Sequence, residues 1–117
     1  MQIVTNNPLV REKLQDHYAV DYAEGSFGEL LVRVRDKAHL GYRLLSHPLS
    51  GSVKPNETPY KSVLISDGPG ALDVESLTII ENSILTADKF PVKYPQMSAK
   101  MRADFQLIDY TLLQSAL

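Results

Sequence analysis

The chain has 117 residues and no cysteine, and its 12 Lys and Arg face 14 Asp and Glu for a formal net charge of −2. That length fits one domain, and 44% hydrophobic with 22% charged residues is an ordinary globular composition. The charge balance offers no overall field for nucleic acid or anionic lipid, and the missing thiols exclude disulfides, thiolate-held iron–sulfur clusters and a cysteine nucleophile.

Met1 leads directly into Gln2-Ile3-Val4-Thr5, without the basic start and apolar stretch of a signal peptide. No apolar run approaches the ~20 residues that a membrane helix needs, so the sequence reads as cytoplasmic, with no membrane partner. Ile3-Val4 predicts a short strand. Asn7 is suited to cap the helix that follows, and Pro8 to its first position. Val10 and Leu14 share one helical face that ends near His17, and the alternation through Tyr18, Val20 and Tyr22 predicts a half-exposed edge strand.

Ser26 and Glu29 form a capping box, the clearest helix start in the chain. Phe27, Leu30, Leu31, Val34 and Ala38 continue as a buried stripe, and Gly41 is a natural stop. The runs 42–46 and 62–66 have continuous apolar centres and predict central strands. Asp73 caps a helix carrying Val74, Leu77, Ile80 and Ile84 on one side, and it ends before Pro91. A last helix starts at Ser98 with Met101, Phe105, Ile108 and Leu112 on one face, which must pack on this chain or on a second copy.

This order predicts a small three-layer α/β domain over residues 1–117: a mainly parallel sheet of about four strands with helices on both faces, a Rossmann-like half domain. The direction of the fourth strand stays open, because the connection before it has no crossover helix.

Ligands of such sheets bind beyond the carboxyl ends of the strands. That rule selects Asn6 and Asn7, the turn Glu24-Gly25-Ser26, and Ser46-His47 with the long segment up to Lys61. Amides at a helix start can receive an anionic oxygen, although Asn-Pro is also ordinary capping chemistry. His47 could serve as a general base or simply hold its loop. Ser50, Lys54, Asn56, Thr58 and Lys61 add hydroxyl, amide and ammonium donors, in a segment stiffened by three prolines. No Walker loop, dinucleotide fingerprint, hydrolase elbow or metal-ligand spacing is present, so no cofactor and no metal are expected.

The stretches Thr5-Asn6-Asn7-Pro8, 41–52 and 54–60, with the helix through Ile80-Glu81-Asn82-Ser83, resemble the GrdX-like family over nearly the whole length. Proteins of that family are encoded near the glycine, sarcosine and betaine reductases of anaerobic bacteria. The resemblance implies an accessory role in amino-acid reductive fermentation and carries over no catalytic residue. Two readings follow. In the first, the loops bind a reductase component or a small anionic metabolite, with a homodimer through the last helix as a further option. In the second, the chain is a small enzyme acting on a phosphoryl or carboxyl substrate, with His47 as general base and Lys54 or Lys61 as electrostatic stabiliser.

Overall fold

The computed structural model describes residues 1–50, 57–90 and 97–117. In chain order the elements are β1 (Gln2–Thr5), α1 (Pro8–Leu14), β2 (Ala19–Tyr22), α2 (Phe27–His39), β3 (Ser62–Ile65), α3 (Val74–Asp88) and α4 (Ala99–Ala116). The helix starts follow from their caps. Asn7 Oδ1 accepts from Leu9 N, Ser26 and Glu29 form the reciprocal box, and Asp73 and Ser98 each accept from the amide three residues on.

Helices cover both faces of the sheet, as the alternation of side chains along a strand requires. On one face Val4, Val63 and Ile65 pack against Phe27, Leu30, Leu31, Val34 and Ala38 of α2 and Ile80 of α3. On the other, Ile3 and Leu64 meet Val10 and Leu14 of α1 and Leu113 of α4. These side chains are nearly all excluded from water, and at about 1.5–3 kcal/mol each they supply the main driving force for folding.

The sheet itself corrects the sequence-based expectation. Among the described residues it has three strands in the order β2-β1-β3, with β1 parallel to β2 and antiparallel to β3. It is therefore a mixed open sheet, and neither four parallel strands nor a Rossmann-like half is found. Among the described residues no crossover helix lies between the 42–46 region and β3, and β3 runs reversed against β1.

The run 42–46 is not a strand; it meets the sheet by one isolated bridge, Leu44 to Ile65, and by backbone hydrogen bonds from Leu45 N and Ser46 N to the Leu64 carbonyl and from Ser66 N to the Arg43 carbonyl. Serine side chains take the backbone groups that a ladder would have paired. Ser66 Oγ accepts from Arg43 N, Ser76 Oγ from Leu44 N, and Ser46 Oγ from Leu64 N. Two further stripes differ in part. On α3, Ile80, Leu77 and Ile84 pack on the core as expected, but Val74 is exposed and Ser76 and Ser83 also face inward; α4 buries Asp109 and Leu113 and leaves Met101, Ile108 and Leu112 partly in solvent.

Gly41 ends α2 with a φ of 103° and lies against Gly70, whose amide donates to the Gly41 carbonyl at 3.0 Å. A Cβ on residue 41 would lie 2.1 Å from the Gly70 carbonyl oxygen. Gly41→Ala therefore combines an unfavourable φ with a backbone clash and is expected to cost about 2–4 kcal/mol. Urea unfolding would read this as a lower midpoint at unchanged slope, and a variant as stable as the parent would refute the contact.

Candidate functional site

Two adjacent asparagines at the end of β1 draw the rim of the sheet together. The Asn6 side chain donates to the Gly25 carbonyl at 3.0 Å and to the Pro59 carbonyl at 2.8 Å, and it accepts from Lys61 N at 2.9 Å. One amide thus joins the turn after β2 to the segment that enters β3. Asn7 turns the other way, donating to the Gln106 carbonyl and to Asp109 Oδ2 at 3.0 Å while capping α1. Both are buried, so these bonds replace those that water would have made.

Asp109 is the centre of a second cluster. Its carboxylate accepts from Asn7 Nδ2, from Ser62 N at 3.1 Å and from Ser62 Oγ at 2.7 Å, and Ser62 Oγ lies 2.7 Å from Thr5 Oγ1. With 5% exposure, this carboxylate ties α4 to β1 and β3 through hydrogen bonds that disperse its charge.

Lys61 is 7% exposed, and its Nζ donates to the Ser50 carbonyl at 2.8 Å and to Ser50 Oγ at 3.3 Å. Burial lowers its pKa from the ordinary lysine value, and the nearby Asp109 carboxylate offsets part of that effect. Above it opens a small cavity of about 20 Å³, with Phe27, Leu49, Phe105, Ile108 and Leu112 among its walls. That space suits a single water molecule.

The sequence-predicted residues therefore divide. Asn6, Asn7, Thr58 and Lys61 meet at one rim with Ser50, whereas Ser46 bonds to Leu64, farther along β3. The Thr58 hydroxyl is engaged with its own turn, accepting from Tyr60 N. His47 is exposed, and its Nδ1 accepts from Leu49 N at 3.0 Å, the single hydrogen bond of its side chain among the described residues, while its carbonyl accepts from Ser50 N at 3.1 Å. That bond fixes a turn. Lys54 and Asn56 lie outside the described residues.

A cleft of about 540 Å³ lies at the carboxyl end of β2. Glu24, Gly25, Ser26, Glu29, Arg33, Ile84 and Asp88 are among the residues that line it. Arg33 is held from behind: its guanidinium donates to the Thr5 carbonyl, the Asp21 carbonyl and Asp21 Oδ1 at 2.9–3.1 Å. Hydrogen bonds from Ser26, the backbone one first, lower the pKa of Glu29, so it stays ionised to lower pH. A neighbouring cleft of about 260 Å³ has Asn6, Tyr22, Glu24, Tyr60 and Arg102 in its lining.

Sequence reasoning missed Asp109 and Arg33. On a helix, each reads in the sequence as a solvated side chain. The available signal was a lone carboxylate between Ile108 and Leu113 and a lone arginine between Val32 and Val34.

A family model described as GrdX-like protein matches residues 2–117. The chain belongs to the GrdX-like family. No curated protein and no solved structure matches it. Family membership links this GrdX-like chain to glycine reductase in an accessory capacity. Among the described residues, no helix is long and apolar enough to cross a membrane.

Two outcomes test the polar interior of this GrdX-like chain. Asp109→Ala strands the Ser62 and Asn7 donors, and chemical denaturation should show a loss of about 3 kcal/mol. For Lys61 the depressed pKa means that the folded state releases its proton before the unfolded state does. The cost of burying the charge is then full below the folded pKa and is relieved as pH rises toward 10.5. Relative to Lys61→Met, the parent should gain stability over that alkaline window, and parallel stability curves would contradict this.

Proposed function

We propose that this protein is a cytoplasmic accessory factor of the glycine, sarcosine or betaine reductase system that acts by holding a protein component and breaks no bond itself. The reading rests on the cleft beside Gly25, where the carboxylates of Glu24, Glu29 and Asp88 outnumber one guanidinium, that of Arg33, itself paired with Asp21, around apolar walls that include Leu30 and Ile84. Such a surface attracts a basic, partly apolar segment of a partner and repels a free anionic metabolite. The side chains that an anion would need support the same choice. The Asn6 and Asn7 amides are spent on internal acceptors, and the Lys61 ammonium is turned to Ser50 beside a buried carboxylate. The reading also includes a homodimer through α4, whose apolar stripe is only partly covered by this chain.

Binding of the purified protein to each separate reductase component, measured by biolayer interferometry at two salt concentrations, tests the main claim. One component should bind, more weakly at higher salt, and the pair Glu24→Lys with Asp88→Lys should reduce its affinity at least about tenfold, a 1.4 kcal/mol effect. Glycine, sarcosine, betaine and acetyl phosphate should leave the melting temperature unchanged. Full affinity in the charge-reversed variant would remove the cleft from the proposal, and the absence of binding to every component would remove the proposal itself.

A further inference from the structure

From the spacing and charge of α4 we infer that two copies of this chain pair through that helix, antiparallel, with the two-fold axis passing between Gln106 and Leu107. The inference rests on the homodimer reading above and assigns its register. Met101, Phe105, Ile108 and Leu112 recur at intervals of four, three and four residues, the spacing of a coiled-coil seam. They are not the inward face of the helix, which carries Asp109 and Leu113. Met101 is 49% exposed, Ile108 40% and Leu112 38%, so α4 is apolar on two sides and the described residues cover one of them.

The stripe is complementary to itself in one direction. When one copy is reversed, Met101 stands opposite Leu112 of the other copy and Phe105 opposite Ile108, so all four apolar positions are matched at a single register. The charges choose the same direction. The first turn of α4 holds no acidic residue and its last turn no basic one, while Lys100 and Arg102 stand near its N-terminus, where a cation opposes the helix dipole. An antiparallel neighbour brings its negative C-terminal end to those two cations. A parallel neighbour would bring a second Lys100 and Arg102 instead, and both dipoles would oppose the pairing.

Phe105, Ile108 and Leu112 also border the cavity over Lys61, so the second copy would close that cavity from outside. A seam along 18 residues spans about 27 Å.

Because the chain contains no cysteine, engineered thiols report the register without background. Met101→Cys mixed with Leu112→Cys, and Phe105→Cys mixed with Ile108→Cys, should give disulfide-linked heterodimers on mild oxidation. Met101→Cys alone should not, because its own counterpart lies about 16 Å away along the seam. Sedimentation velocity from about 1 to 500 μM should show reversible dimerisation, weakened at least about tenfold by Ile108→Asp, with circular dichroism confirming that the variant folds. A monomer at every concentration overturns both the dimer and its register. A dimer that links through Met101→Cys alone, or through neither mixed pair, leaves the dimer standing and overturns the antiparallel register.

Discussion

The rest of the structure depends on the demand that two buried asparagine amides be satisfied. Asn6 and Asn7 follow β1 directly, inside the protein, and an unpaired amide there would cost on the order of 1–3 kcal/mol. Their partners are spread widely: Gly25, Pro59 and Lys61 for one, Gln106 and Asp109 for the other. Meeting that demand brings the turn after β2, the approach to β3 and the body of α4 to one end of the sheet. Asp109 completes the arrangement, because a buried carboxylate needs donors as much as the amides need acceptors, and Ser62 supplies two of them.

The chemical character of the rim follows. Asn6, Asn7, Thr58 and Lys61, which look in the sequence like ligand donors, are used by the fold for itself, and the surface around Gly25 is rich in carboxylates and apolar side chains. The proposed function rests on that division between the buried donors and the acidic surface.

Much of the fold was legible from local rules. Ser26 with Glu29, Asn7 with Pro8, Asp73 and Ser98 mark helix starts because capping is settled within three residues of sequence. The edge position of β2 and the placement of helices on both faces also followed from periodicity. The third apolar run failed as a strand because Ser66 and Ser76 take the amides of Arg43 and Leu44 from 23 and 32 residues away while Ser46 accepts from Leu64 N, pairings that no window of hydrophobicity contains. Asp109 failed for a similar reason. A carboxylate on a helix reads as solvated until the donors of another element are known to face it, and its serine partner lies 47 residues earlier.

The close approach of Gly41 to Gly70 has an evolutionary consequence. A side chain at residue 41 would collide with a backbone oxygen, and no exchange of side chain at residue 70 can move that atom away. Second-site suppression, the usual escape for a crowded core position, is closed here unless the main chain itself shifts. Glycine at 41 should then persist in lineages whose surface residues have drifted beyond recognition, and it would serve as an anchor for aligning distant members of the family.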